Sequence, residues 1–192
     1  MLAEKSLHLI VVSALITLVF GYFSTYSLAV LGVVVTTFLI LFFRDPEREP
    51  EGNGMVSPAD GRIMRIERRR VSIFMNLHDV HVNRSPFSGT VESIEHINGN
   101  FKPAYSKDSE NNERNIIRIS TDRGVIEMVQ IAGSFARRIV CYVKEGDEVK
   151  RGERIGMIRF GSRVDIKIPK SYEILIKVGE RVKAGETIIA ID

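Results

Sequence analysis

The sequence predicts a mainly β domain carried behind an N-terminal hydrophobic helical hairpin. Three observations predict it: two charge-free apolar runs before residue 44, a succession of short valine- and isoleucine-rich stretches after it, and two internal echoes. At 192 residues and 44% apolar composition, the chain is long enough for one well-packed domain with an appendage.

The runs Leu7 to Phe23 and Leu28 to Phe43 contain no Asp, Glu, Lys or Arg. Each gives a helix of about 25 Å at 1.5 Å per residue, a little under the hydrocarbon thickness of a bilayer. Joined by Ser24 to Ser27, they read as a membrane hairpin over residues 1–43 that spans or dips into the bilayer; a hairpin buried in a core is the plainer alternative. A cleaved signal peptide would not be followed by a second apolar run, and no small-x-small site separates the two. Arg44 and Arg48, just after the second run, place the following domain on the cytoplasmic side of the cell membrane.

Residues 44–54, rich in proline, glycine and charge, read as a linker, and 55–192 as the β domain. Strands are expected at Ile63 to Ile66, Val71 to Met75, Thr90 to Ile94, Ile116 to Ser120, Val125 to Ile131, Arg138 to Val143 and Ile155 to Ile158. Asn98 to Arg114 reads as a long loop. Val143 to Glu153 recurs as Ile176 to Glu186, keeping lysine, both glycines, valine, the next lysine and glutamate. Ser57-Pro58-Ala59-Asp60-Gly61 recurs as Ser85-Pro86-Phe87-Ser88-Gly89. Such repeated strand-turn-strand units bury their apolar faces against one another, as in the β-barrel sandwiches of lipoyl and biotinyl domains.

The single cysteine, Cys141, excludes an internal disulfide and reads as a buried strand residue. A net charge of +3 suits a domain near an anionic lipid surface. Nucleic acid is excluded as a partner, because Arg68-Arg69-Arg70 lacks the interleaved aromatics of a stacking platform.

Gly161-Ser162 sets a hydroxyl beside a small residue. A serine there can attack the preceding carbonyl, move the acyl group from nitrogen to oxygen, and lose the ester by elimination. That cuts the chain between 161 and 162 and leaves a ketone at the new N-terminus. Most Gly-Ser pairs are turns, so the surroundings decide.

Phe42-Phe43-Arg44-Asp45-Pro46, Ser57-Pro58-Ala59-Asp60-Gly61, His78-Asp79-Val80-His81-Val82-Asn83-Arg84 and Gly161-Ser162 occur in the order seen in the pyruvoyl-dependent phosphatidylserine decarboxylases. The chain resembles their short, membrane-anchored form, which includes archaeal enzymes acting on archaetidylserine, from about residue 40 to 170. Many longer relatives carry Leu-Gly-Ser-Thr at the cut, where this chain has Phe160-Gly161-Ser162-Arg163. The resemblance implies a proenzyme cut into a large piece, 1–161, and a small piece, 162–192. Ser162 becomes a covalent pyruvoyl cofactor that forms a Schiff base with the serine amine of the phospholipid substrate. Release of CO2 then leaves the ethanolamine lipid.

The resemblance also implies a triad of Asp60, His81 and Ser162. The chemistry agrees, since Ser162 needs a base to take its proton, and a carboxylate on the other ring nitrogen of His81 would fix its tautomer. His78 is left to protonate the carbanion after decarboxylation; a structural role for it stays open. His-x-x-His is also half of a metal site, but no compact third ligand stands out, so no metal is expected. Arg84 is a candidate phosphate ligand. Homo-oligomerisation stays open. Two rival readings remain: a swinging-arm carrier or adaptor, which needs an exposed lysine such as Lys167 at a hairpin tip, and a membrane-tethered domain that binds a partner and leaves Gly161-Ser162 uncut.

Overall fold

In the computed structural model the described residues are 1–4, 6–23, 25–50, 52–100, 102, 111–133, 138–159 and 162–192. They form two compact units, 1–47 and 48–192.

The first unit is a helical hairpin. α1 (Leu7–Tyr22) and α2 (Tyr26–Phe42) follow the two apolar runs. A hydroxyl pair, Ser13 and Thr36 at 2.8 Å, joins them midway. Gly32 is required there, because a Cβ would collide with the Thr17 side chain. Apolar side chains such as Leu15, Leu18, Val30 and Leu31 stay exposed along both helices. Among the described residues, no helix is long and apolar enough to cross a membrane.

The second unit is all β. An eight-stranded antiparallel sheet curls in the order β13-β2-β3-β11-β7-β6-β5-β9. Its strands are β13 (Arg181–Val182), β2 (Gly61–Glu67), β3 (Arg70–Met75), β11 (Ser162–Lys167), β7 (Gly124–Ala132), β6 (Arg114–Thr121), β5 (Gly89–Ile97) and β9 (Glu148–Val149). Two three-stranded sheets complete it: β4 (Val82–Arg84), β10 (Arg154–Ile158) and β8 (Ile139–Cys141) in the order β4-β10-β8, and β1 (Met55–Val56), β14 (Ile188–Ile191) and β12 (Glu173–Ile174) in the order β1-β14-β12. Every stretch expected to be extended contains or overlaps a strand. Period-two alternation explains this: Val71, Ile73 and Met75 face the core with Val164, Ile166, Ile126 and Met128, while Ser72, Arg163 and Asp165 occupy the opposite face.

The two echoes are two equivalent corners. Gly146 and Gly179 (φ +87° and +90°) turn the chain identically, and β9 and β13 follow them onto the starts of β5 and β2 at the two ends of the large sheet. Each Ser-Pro segment caps itself, Ser57 Oγ on the Ala59 carbonyl and Ser85 Oγ on the Phe87 carbonyl, both at 2.7 Å. The corners also clasp one another through Val56 N–H on the Pro86 carbonyl at 3.0 Å and Arg84 N–H on the Pro58 carbonyl at 2.9 Å.

Residues 48–54 are tied to the β unit. Arg48 is buried against Asp60, and Arg151 donates to the carbonyls of Gly52 and Gly54 at 2.7 and 2.9 Å. Arg48 therefore does not serve as a free positive charge flanking the hairpin. Cys141 lies on β8, only partly buried. Much of the long loop, residues 101 and 103–110, lies outside the described residues. Its end is pinned by buried Asn112, whose amide donates to the Lys102 and Ala132 carbonyls at 2.6 and 2.8 Å.

Candidate active site

The sheet register carries distant parts of the sequence to one end. Ser162 opens β11 between Met75, which closes β3, and Ala132, which closes β7. Gly61 opens β2 directly after Asp60, and its missing Cβ leaves room for the Phe74 carbonyl and the Met75 backbone. His78 and His81 lie on the connection from β3 to β4. That connection turns at Asn76 to Asp79, where the Asp79 N–H meets the Asn76 carbonyl at 3.0 Å and the Asn76 N–H meets Asp79 Oδ2 at 2.8 Å. Gly161 lies outside the described residues.

Ser162 is fully buried on the core-facing side of β11. Its Oγ donates to Met75 Sδ at 3.3 Å. On the other face Arg163 and Asp165, also buried, form an ion pair just after Ser162: Nη2 donates to Oδ2 at 3.1 Å, and Nε lies 2.9 Å from Oδ1.

His78 and His81 part company. His81 is 1% exposed, whereas the His78 side chain is 68% exposed. His81 Nδ1 lies 2.9 Å from the Asp79 carbonyl oxygen. A carbonyl only accepts, so Nδ1 carries the proton and Nε2 carries the lone pair, the arrangement a general base needs. Both oxygens of Asp60 accept from the Arg48 guanidinium, at 2.9 Å for the Nη2 contact, and Oδ1 also accepts the Ala184 N–H at 2.8 Å. The hydrogen bond at His81 Nδ1 is to a backbone carbonyl two residues away.

His78 Nε2 accepts from Arg181 Nη2 at 2.9 Å, and the same nitrogen reaches Asp79 Oδ1 at 3.3 Å. Arg181 lines a cleft of about 650 Å³ with Asp60, Gly61, Asp79, Lys183 and Glu186. Arg84, the phosphate candidate from the sequence, is buried and donates to the Gly152 carbonyl at 2.9 Å while packing over Gly185. It serves the corner turns. Lys167 is the exposed last residue of β11, paired on both sides with Arg70 and Glu127, and not at a hairpin tip. Among the described residues no three His, Cys, Asp or Glu side chains cluster as a metal site would require.

Three participants escaped the sequence reading: Arg48, and the buried amides Asn83 and Gln130. Gln130 had a readable signal. It shares parity with Ile126, Met128 and Ala132, a polar side chain on the core-facing side of β7.

The family model for phosphatidylserine decarboxylase matches residues 35–190. The chain belongs to the phosphatidylserine decarboxylase family. A provisionally named archaetidylserine decarboxylase proenzyme of Methanococcoides burtonii is 48% identical over 99% of this chain and 96% of its own length. A phosphatidylserine decarboxylase proenzyme of Streptomyces griseus is 51% identical over 86% of this chain and 80% of its own. Another provisionally named archaetidylserine decarboxylase proenzyme, from Methanothermobacter thermautotrophicus, is 45% identical over 99% of this chain and 95% of its own. As a member of the phosphatidylserine decarboxylase family the chain is an enzyme, a decarboxylase.

Proposed function

We propose that the chain severs itself before Ser162 and uses the carbonyl so created to convert a serine-headed phospholipid, phosphatidylserine or archaetidylserine, to the ethanolamine lipid and CO2. One observation carries the reading: Ser162 is the buried first residue of β11, at the sheet end that also receives Asp60, His78 and His81. Proenzyme names among the relatives support it.

In the scission, Ser162 Oγ adds to the preceding carbonyl carbon while its proton passes to His81 Nε2. Collapse breaks the C–N bond, the proton is returned to that nitrogen, and an ester remains. Removal of the Ser162 α-proton then expels the carboxylate of the large piece. The unsaturated residue left behind hydrolyses, with loss of ammonia, to a pyruvoyl group. Asp60 is to stabilise the imidazolium while it exists, its carboxylate then being shared between Arg48 and His81.

The residues around Ser162 fit such a group. The position is fully buried and flanked by paired strands on both sides. A pyruvoyl carbonyl supplies the electrophile for Schiff-base chemistry with the serine amine and the sink for the electrons that CO2 leaves behind. Arg181 is suited to the headgroup phosphate, because a guanidinium offers five donors and, among the described residues, only Nη2 is engaged. While Arg181 donates to His78 Nε2, that nitrogen cannot deliver a proton. Drawing Arg181 onto a phosphodiester frees His78 to protonate the substrate carbon after CO2 departs.

The cut leaves the pieces interlocked. Fragment 162–192 supplies β11, held between β3 and β7, as well as β12, β13 and β14. Paired turns at equivalent corners support a lipoyl-like ancestry for this frame. The exposed, largely apolar hairpin supports a membrane anchor that dips into the bilayer, with the β unit on the cytoplasmic side. Deleting residues 1–43 is expected to preserve scission and lower turnover on vesicles.

Intact mass with a carbonyl-reactive hydrazine tests the proposal. Wild type should give 1–161 and a blocked 162–192 that traps hydrazine, and Ser162→Ala should stay whole. His81→Ala should slow scission; His78→Ala should leave scission intact while depressing CO2 release. A single unbroken species, inert to hydrazine and fully active, would sink the reading.

A further inference from the structure

Beside Ser162 runs a chain of buried amides whose direction is fixed. Asn115 Nδ2 donates to Gln130 Oε1 at 3.1 Å, and Gln130 Nε2 donates to Asn83 Oδ1 at 2.8 Å. Each amide has one accepting and one donating end, so this order obliges Asn83 to turn its NH2 the other way. There, among the described residues, it meets only Met75 Sδ, at 3.8 Å, the same sulfur that receives Ser162 Oγ at 3.3 Å. Asn83, Gln130, Met75 and Ser162 are fully buried and Asn115 nearly so. Gly156 belongs to the arrangement, since a Cβ there would come within 2.9 Å of Gln130 Nε2.

A thioether is a weak acceptor, and a buried N–H without a good partner is costly. The relay nevertheless keeps this donor pointed toward the sulfur that Ser162 also faces. A strong acceptor arises there only transiently, when Ser162 Oγ adds to a carbonyl carbon and the carbonyl oxygen becomes an anion. A donor aimed in advance at that charge, in a dry site, needs no reorganisation at the moment of reaction.

We propose that Asn83 Nδ2 is the oxyanion donor for the Ser162 acyl shift, held in aim by Gln130 and Asn115 as positioning residues. The inference rests on the reading that Ser162 is the nucleophile of scission. It adds no bond-making step: one hydrogen bond passes from sulfur to the oxyanion and back.

The test is a time course of precursor and fragments by intact mass, normalised to the folded fraction from a melting curve. Asn83→Asp keeps the shape and removes the donor, and should slow scission by about 10²- to 10³-fold. Gln130→Glu leaves Asn83 in place but reverses the relay, because a carboxylate only accepts and Asn83 must then donate to it. It should slow scission comparably, which a merely structural Gln130 would not do in the folded fraction. Gln130→Met, which leaves the Asn83 amide free to rotate, should fall between Gln130→Glu and wild type. If the folded fraction of Asn83→Asp or of Gln130→Glu cuts at the wild-type rate, the inference is overturned. A wild-type chain that never cuts overturns instead the reading on which it rests.

Discussion

The two corners of the β unit share a backbone and differ in chemistry. At the first, Gly185 N–H meets the Ser57 carbonyl; at the second, Gly152 N–H meets the Ser85 carbonyl, both at 2.8 Å. In the first, the Ala184 N–H is satisfied by Asp60 Oδ1 at 2.8 Å; in the second, the equivalent Arg151 N–H is satisfied by Ser88 Oγ at 3.0 Å. A serine therefore suffices to close this turn. The carboxylate of Asp60, with the buried Arg48 it holds, is more than the fold requires, and a charged pair kept out of water is costly to maintain for stability alone.

The sharpest way to break the comparison is to give the first corner the chemistry of the second. Asp60→Ser should keep the Ala184 contact and the fold, at a cost of about 3 kcal/mol for an Arg48 guanidinium that loses its two contacts to the Asp60 carboxylate. Scission should slow at least about 10²-fold. Ser88→Asp should leave scission unchanged. Melting curves and intact mass read both, and an Asp60→Ser chain that cuts like wild type would make the two corners chemically equivalent after all.

Glycine at the strand starts tests how far the backbones match. Gly61 has φ +142°, and a Cβ would collide with the Phe74 carbonyl oxygen; at Gly89 a Cβ would collide with the Ser120 carbonyl oxygen, but the backbone there is unstrained. Both alanine variants should lose about 3 kcal/mol or more, with Gly61→Ala the worse by the strain of its dihedral. Equal losses would mean the dihedral adds nothing. The turn glycines give a finer measure. Gly146 and Gly179 share the same φ and have open space where a Cβ would go, so Gly146→Ala and Gly179→Ala should each cost only about 1 kcal/mol. Unequal values in denaturant titration would show that one corner is held more tightly than the other.

Much of this was legible in the sequence because it is local. Strands follow the alternation of Val71 to Met75 or Val125 to Ile131, and the corners follow glycines repeated at fixed spacing. The assembly of Asp60, His81 and Ser162 at one sheet end was readable only through the resemblance, since nothing in their spacing encodes strand register. What the sequence could not show was pairing. Arg48 lies in a segment whose composition reads as linker, yet it reaches across to Asp60 and Glu186. The Asp79 carbonyl at His81 Nδ1 was equally invisible, because a backbone carbonyl is common to every residue.

The smallest expected effect concerns a place where the second corner carries bulk that the first lacks. Phe87 stands where the first corner has Ala59, and its ring meets Tyr172 edge-on at 6.1 Å. Among the described residues the buried Tyr172 hydroxyl has no hydrogen-bond partner. Burial pushes it above the ordinary tyrosine range; Arg123, 6.0 Å from the ring centre, opposes the shift, and Asp122 adds to it. Because the folded chain binds this proton more tightly, its contribution is intact below the unfolded value of about 10 and is lost as pH rises through the higher folded value. Tyr172→Phe should be neutral or stabilising by up to about 1 kcal/mol at neutral pH, since it removes an unsatisfied buried hydroxyl. It should also flatten the alkaline fall in melting temperature relative to wild type. If that fall is unchanged, the ionisation limiting stability at high pH belongs elsewhere, and Phe87 meets Tyr172 through packing alone.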